Sequence, residues 1–229
     1  SAASDVYKRQ ADVRSFWYSC YKSVNQCNAV IESLENNDIP GLDEDLKTRF
    51  LAESLISRAH YFYHLVQQFG DIPMPLKPTN SVETTAHKTK VDEVWNQIVT
   101  DLEFAVENLP ETYQASEFGH ITKYAAMHHL SRVYLTLKRS DDDLKKALNY
   151  AEQVINSGKY SLVKSHAELW DINNKNNSEV LFSVLYTQNA ELNGDGNTAH
   201  MYFCSAYSEE HPAVKRVIEY GRPWSRERS

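Results

Sequence analysis

The spacing of apolar side chains predicts that this chain is built mainly from amphipathic helices. Between residues 51 and 69, apolar side chains recur every three or four positions, as they do on one face of an α-helix. Those positions are Leu51, Leu55, Ala59, Phe62, Val66 and Phe69. Gly70 follows as a cap, and Pro73 holds Ile72 in extended geometry, so the helix cannot resume. The pattern predicts a helix over about 43–69 that leads into a rigid loop.

Four further helices are predicted in the same way. They cover about 13–34, 90–108, 122–138 and 142–157, and residues 70–89 are expected to form an extended, polar, proline-rich loop. The helical spacing of apolar side chains ends after Lys159. Glu179–Tyr186 is short, apolar and β-branched, as is typical of a strand, and 189–197 is expected to be a polar, glycine-containing loop.

Small and large apolar residues alternate in the fourth and fifth predicted helices. The set is Ala126, Leu130, Val133, Ala147, Tyr150, Ala151 and Val154. Such alternation lets two helices approach closely, as in a tetratricopeptide hairpin of about 34 residues. The pair of predicted helices earlier in the chain matches the tetratricopeptide pattern less well. The predicted fold class is therefore mainly α: tetratricopeptide-like helical hairpins with loop-rich insertions and a short β segment.

Composition argues against several classes of function. The 229 residues carry a net charge of -7, which argues against a nucleic-acid partner because phosphate binding needs a basic face. No apolar run approaches the roughly 20 residues that span a bilayer. The three cysteines, Cys20, Cys27 and Cys204, have no metal or redox spacing and are expected to pack in the interior.

Several ordered motifs resemble the SusD/RagB family. The family pattern A-E-x-x-x-x-R-A-x-x-Y-x-x-L-x-x-x-F-G-D-x-P is matched at nine positions, which are Ala52, Glu53, Arg58, Ala59, Leu65, Phe69, Gly70, Asp71 and Pro73. An upstream block at 16–31 is similar to the family helix that carries W-x-x-x-Y and N-x-x-I. Further blocks with family counterparts follow in the same order at 94–110, 122–126, 157–162 and 178–183.

This resemblance implies an outer-membrane, surface-exposed lipoprotein of a Gram-negative bacterium. Such a protein binds oligosaccharide or polysaccharide and passes it to a partner SusC-type TonB-dependent transporter, with no cofactor. The resemblance also implies a secretion signal and a lipid-bearing cysteine upstream of this region, and a further segment downstream. Peptide capture and a protein-interaction adaptor of tetratricopeptide type stay open as alternatives.

The ends of the chain carry a separate expectation. Residues 1–10, S-A-A-S-D-V-Y-K-R-Q, can be encoded by the transposase adaptor that is used in sequencing-library preparation. We therefore interpret residues 1–10 as an assembly artefact. Residues 11–229 are interpreted as a SusD-like α-helical domain that is truncated at both ends.

Catalytic and metal motifs are weak. His60 and His64 lie four apart and Glu53 precedes them, but the three residues do not form H-E-x-x-H, so no metal site is predicted. Adjacent His128 and His129 diverge on a helix and cannot share one metal. The acidic clusters at 43–45 and 141–143 stand at helix starts, where capping explains them, and no enzyme is predicted.

Binding is better supported than catalysis. Aromatic rings stack on the C–H faces of sugars, while amide and guanidinium groups bond their hydroxyls. Residues 186–207 supply both kinds of side chain on a predicted loop, with two more residues beyond it. The predicted ligand-binding residues are Tyr186, Asn189, Asn193, Asn197, Tyr202, Tyr207, Arg222 and Trp224.

Overall fold

Five helices pack against one another in chain order. The computed structural model describes residues 2–36, 39–81, 85–117, 119–171, 173–174 and 176–184. The helices are α1 (Ala2–Glu35), α2 (Glu44–Phe69), α3 (Val91–Asn108), α4 (Lys123–Leu137) and α5 (Asp141–Asn156). A 3-10 turn at Ala115–Glu117 and the short helix α6 (His166–Leu169) lie in the connections. Each of α1 to α4 packs on the next helix of the chain, which is the expected arrangement of consecutive helical hairpins.

Local capping explains where the helices begin and end. The Asp43, Thr122 and Ser140 side chains accept hydrogen bonds from backbone N–H groups in the first turns of α2, α4 and α5. At the other end of α2, the N–H of Gly70 donates to the Val66 carbonyl at 3.0 Å, with Gly70 at φ +68°. An L-amino acid is strained at that φ, so glycine is the natural residue here.

The predicted helices are confirmed, with one difference at the start. Helix α1 begins at Ala2, whereas the apolar pattern predicted a start near Val13. No glycine or proline stands between Ser1 and Glu35, so nothing in the local sequence ends the helix toward its start. The interpretation of residues 1–10 as an adaptor product concerns the gene and stays a prediction.

The predicted strand at Glu179–Tyr186 is not formed over its described part. Within 179–184, residue 179 lies in a turn, residues 181–182 form a bend and the rest have no regular structure, and no strand occurs anywhere in the described ranges. The apolar side chains of this segment pack on helices instead of a neighbouring strand: Phe182 lies against His60 and His129. Leu185 and Tyr186 lie outside the described residues.

The main core lies where α2, α3 and α4 meet. Its largest fully buried side chains include Phe62 and Leu65 of α2, Ile98 of α3 and Leu130 of α4. Cys20 of α1 is buried in this core, as the sequence predicted, and Cys27 is half-buried. Cys204 lies outside the described residues.

The loop that follows α2 is held in place at its two ends. Asp71 Oδ1 accepts the Val91 N–H at 2.9 Å, and Ile72 forms an isolated antiparallel bridge with Thr89. The predicted extended loop is therefore confirmed over its described residues, 70–81 and 85–89, and both of its ends are anchored beside the start of α3. Across the described helices, none is long and apolar enough to cross a membrane.

Candidate functional site

A buried polar cluster explains the presence of Arg58 in the longest motif. The Arg58 guanidinium donates two hydrogen bonds to the Asp101 carboxylate, Nε to Oδ2 and Nη2 to Oδ1, each at 2.8 Å. Its Nη1 donates to Asn28 Oδ1 at 3.1 Å, and Gln97 donates to Asp101 at 2.7 Å. Burial raises the pKa of Asp101, while the Arg58 guanidinium opposes that rise. The cluster ties α1, α2 and α3 together and is architectural.

An open cleft lies between the loop that precedes α4 and the segments that follow α5. We call it the tyrosine cleft; it has a volume of about 320 Å³ and is lined by residues within 111–122, 159–160, 176–177 and 180–183. Tyr113 and Tyr160 supply aromatic surface, and Gln114 and Asn176 supply amides. An aromatic wall beside amide groups can stack on a sugar ring and bond its hydroxyls.

One side of the tyrosine cleft is fixed by α2. His120 Nδ1 lies 2.9 and 3.0 Å from the two carboxylate oxygens of Glu53, and Tyr113 Oη lies 3.0 Å from Glu53 Oε1. Burial, and next the Glu53 carboxylate, raises the pKa of Tyr113, so the phenol stays protonated and donates. Arg49 bonds Glu117 at 2.8 Å and places its guanidinium 5.3 Å from the Tyr113 ring centre. The loop is thus held in one arrangement.

The opposite side is fixed by contacts with α4. Tyr160 Oη lies 3.1 Å from Thr122 Oγ1, and the Tyr160 ring packs edge-on against Tyr124 with centres 5.8 Å apart. The Asn177 side chain is buried and donates to the carbonyls of Leu169 and Asn174 at 3.3 and 3.1 Å. These contacts set the position of the segment that carries Val180–Ser183.

Phe182 lines the cleft and packs against a group of histidines. Its ring centre lies 5.7 Å from that of His60 and 5.4 Å from that of His129. His60 Nδ1 and His129 Nε2 are buried without a hydrogen-bond partner. Burial, followed by neighbouring histidines, lowers the pKa of His60 to about 4 and that of His129 to about 3. Both rings are therefore neutral at pH 7.

The residues considered as metal ligands are not brought together. Glu53 contacts His120 and Tyr113, whereas the His60 ring packs edge-on against His64, with centres 4.6 Å apart. Within the described part of the chain, no group of three ligating side chains could hold a metal ion. The His128 and His129 rings form a T-shaped pair, with centres 6.1 Å from each other.

All eight residues predicted to bind ligand lie outside the described residues. These are Tyr186, Asn189, Asn193, Asn197, Tyr202, Tyr207, Arg222 and Trp224, and their assignment stays a prediction. The tyrosine cleft was missed by sequence reasoning. Its only sequence signal is the presence of Tyr113 and Tyr160 in polar segments just outside helices, which by itself does not distinguish a cleft from a packed loop.

Comparison with known proteins identifies the class. Residues 1–135 match the profile of the SusD-like family that is described as starch-binding and associating with the outer membrane. The chain belongs to this SusD-like family, which confirms the resemblance drawn from its motifs.

Individual relatives agree with this assignment. SusD-like protein P2 of Formosa agariphila is 29% identical over 93% of this chain and 40% of its own length. A SusD-like protein of Bacteroides ovatus is 28% identical over 73% of this chain and 32% of its own length. The chain therefore spans about a third of the length of the curated relatives it matches.

Solved structures show the same fold. A laminarin-binding SusD-like protein superposes with a TM-score of 0.74 at 27% identity, covering 87% of this chain and 46% of that one. A structure with xylogluco-oligosaccharide gives a TM-score of 0.70 at 25% identity, over 77% of this chain and 36% of that one. A SusD-like protein of Bacteroides fragilis gives 0.70 at 25% identity, over 86% of this chain and 37% of that one.

Proposed function

We propose that this chain is part of a cell-surface protein that captures oligosaccharide and does not cleave it. The observation that carries the proposal is membership of a starch-binding family associated with the outer membrane. Relatives with the same fold include one described as binding laminarin and one solved with xylogluco-oligosaccharide.

The tyrosine cleft supplies the chemistry on this chain. Tyr160 and Phe182 offer apolar ring surface, and Gln114 and Asn176 offer amide donors and acceptors. Sugar rings present both apolar C–H faces and hydroxyls, so this mixture suits them. Because both sides of the cleft are held by hydrogen bonds to helices, little ordering is needed on binding.

The residues predicted from the sequence are a separate part of the proposal. We propose that they also bind ligand, because they bring aromatic, amide and guanidinium side chains together in one stretch of sequence and just beyond it. They are Tyr186, Asn189, Asn193, Asn197, Tyr202, Tyr207, Arg222 and Trp224.

The partner and location follow from the proposed role. Captured oligosaccharide would pass to a SusC-type TonB-dependent transporter, and the protein would be held at the outer membrane, on the cell surface, by an N-terminal lipid. Hinged opening over the transporter would deliver the ligand to the pore.

Glycan-binding measurements on the chain test the proposal. We expect laminarin, xyloglucan or starch to bind, measured by affinity electrophoresis and calorimetry, without release of reducing ends. Tyr160→Ala and Phe182→Ala should each weaken binding about tenfold, through the loss of ring contact. Trp170→Ala is the matched control, because Trp170 is 72% exposed and does not line the cleft.

Three outcomes would overturn parts of the proposal. Release of reducing ends would show an enzyme. Binding of peptides but not glycans would favour the peptide-binding alternative. Retention of a protein partner without binding either ligand would favour the adaptor.

A further inference from the structure

We propose that a groove between α1 and the loop after α2 is a second contact site for neutral oligosaccharide, separate from the tyrosine cleft. We call it the Trp17 groove. Its volume is about 490 Å³, and it is formed by one face of α1 and by parts of 73–79 and 85–89. The choice of ligand class rests on the proposed function, whereas the location rests on the groove itself.

Aromatic surface lines one wall of the groove. Trp17 and Tyr21 lie four residues apart on α1, and their ring centres are 4.8 Å apart. Trp17 also packs edge-on against Phe69, with centres 4.8 Å apart and planes at 85°. The indole is therefore fixed in orientation while it lines the groove, which is what stacking on a sugar ring requires.

Hydroxyl groups line the other wall. Thr79, Thr85 and Thr89 come from the loop, and His87 stands among them. A threonine hydroxyl can both donate and accept, so it can bond a sugar hydroxyl in either sense. Thr79, Thr85 and His87 are exposed to solvent and accessible to a ligand.

The loop wall is preorganised by side chains of α1. Tyr21 Oη donates to the Pro73 carbonyl at 2.6 Å, and Asn28 Nδ2 donates to the carbonyls of Pro75 and Lys77 at 2.8 and 3.3 Å. Asn25 Oδ1 accepts the Thr79 N–H at 2.7 Å. A connection of this length without regular structure is uncommon in a compact domain, and such loops are usually functional when they are ordered.

The side chains that line the groove narrow the proposed ligand class to uncharged sugars. The described residues that line the Trp17 groove include no Asp, Glu, Lys or Arg. The tyrosine cleft, by contrast, is lined by Glu111, Glu117 and Lys159. Among the described lining side chains, a charged sugar finds no Asp, Glu, Lys or Arg to offset its lost hydration. We therefore assign the groove to uncharged sugar rings.

Stoichiometry and site variants test the assignment. The probes are a linear β-1,3-gluco-oligosaccharide and a linear α-1,4-gluco-oligosaccharide, with oligogalacturonate as the acidic counterpart, titrated calorimetrically into the 229-residue chain. We expect a neutral probe to bind at two sites and oligogalacturonate to be absent from the groove. Thr85→Glu places a carboxylate at an exposed groove position, and it should weaken groove binding at least about fivefold through desolvation of that charge.

Trp17→Ala is the second groove variant, and Tyr18→Ala is its matched control. Tyr18 is the next residue of α1, is 67% exposed and does not line the groove. Trp17→Ala should weaken groove binding about fivefold, as expected for lost aromatic stacking, and Tyr18→Ala should not. Thr85→Glu keeps the test decisive if Trp17→Ala fails to fold, because Thr85 is exposed and packs in no core.

The results separate the two proposals. Calorimetry could give a single site for the neutral probe that is lost in Phe182→Ala and unchanged in Thr85→Glu. That result overturns the groove proposal and leaves the proposed function standing. A single site that is lost in Thr85→Glu and unchanged in Phe182→Ala supports the groove proposal. It overturns the assignment of the tyrosine cleft as a glycan-binding site. No glycan binding at either site overturns both.

Discussion

Arg58 shows how one motif residue acts in this protein. Its side chain is 6% exposed and that of Asp101 is 2% exposed, and the two groups make paired hydrogen bonds. A bidentate guanidinium–carboxylate pair offsets the cost of burying both charges only when both partners are present. The motif arginine is therefore needed for assembly of the first three helices, and no direct role in ligand binding follows from its position.

Replacing Arg58 should be strongly destabilising. Arg58→Met leaves the Asp101 carboxylate buried without its partner, so we expect the free energy of unfolding to fall by about 3–5 kcal/mol. Urea denaturation followed by circular dichroism measures this loss. Lys90→Met is the control: Lys90 pairs with Asp71 but is 75% exposed, and its loss should cost less than about 1 kcal/mol. Equal effects of the two substitutions would contradict the role assigned to Arg58.

The histidines under Phe182 give the chain a pH-dependent stability. His64 of α2 and His128 and Arg132 of α4 lie near His60 and His129. All three of these neighbours are bases. Because burial holds the pKa of His60 at about 4 and that of His129 at about 3, the folded state resists protonation of both rings. Unfolded histidine takes up protons near pH 6.5.

Stability should therefore fall as the pH is lowered from about 6.5 toward 4, since the unfolded chain binds more protons in this window. His129→Leu removes one of the two groups and should give a smaller loss between pH 7 and 5, measured by urea denaturation at each pH. His87→Gln, at an exposed loop position, should keep the wild-type dependence. An unchanged pH dependence in His129→Leu would exclude this account.

At the scale of elements, the loop after α2 depends on α1 for its shape. Asn28 is fully buried; its amide nitrogen donates to two loop carbonyls and its oxygen accepts from Arg58. One side chain thus connects the polar cluster of the core with the wall of the Trp17 groove. The loop geometry is set by a helix that precedes it by almost fifty residues, not by its own prolines alone.

Removing the Asn28 side chain should loosen the loop. Asn28→Ala leaves the Pro75 and Lys77 carbonyls without their donor, so we expect faster chymotryptic cleavage after Leu76 and a loss of about 1–3 kcal/mol in stability. Gln26→Ala on the exposed side of α1 is the matched control and should leave the cleavage rate unchanged. The proposed anchoring would be wrong if both variants were cleaved at the wild-type rate.

The elements themselves were largely predictable. The apolar repeat of α2, the acidic cap at its start and the Gly70-Asp71-Ile72-Pro73 stop are local features, and each one appears where the sequence placed it. At the start of α5 the cap is Ser140, and the acidic cluster 141–143 lies in the first turn. The strand prediction over Glu179–Val184 was wrong for a tertiary reason. The segment is apolar without being a strand, because Phe182 packs against the histidines of α2 and α4.

At the scale of the whole molecule, the stacking order sets how stability is distributed. Helix α2 packs against α1, α3 and α4, whereas α5 packs only on α4 among the described helices. Helix α5 turns Ala147 and Val154 toward α4 and leaves Leu148 and Ile155 at 58% and 72% exposure. Local opening free energies follow such differences in burial.

Hydrogen exchange should reflect this order. We expect the amides in the middle of α5 to exchange faster than those in the middle of α2, because opening α5 uncovers one interface and opening α2 uncovers three. Exchange measured by mass spectrometry on peptides from each helix provides the comparison, with α3, which packs on both α2 and α4, expected between them. Equal protection of α2 and α5 would instead indicate a single cooperative opening.

The sequence by itself determined the helices, their ends apart from the start of α1, and the family, because apolar periodicity, caps and the motif around Arg58 are properties of short stretches of chain. It did not show that Arg58 pairs with Asp101, 43 residues away, or that Phe182 covers His60 and His129. The tyrosine cleft and the Trp17 groove likewise join segments that are distant in the chain. Only the tertiary structure decided these features, since contacts between distant residues depend on how helices pack and leave no local pattern in the sequence.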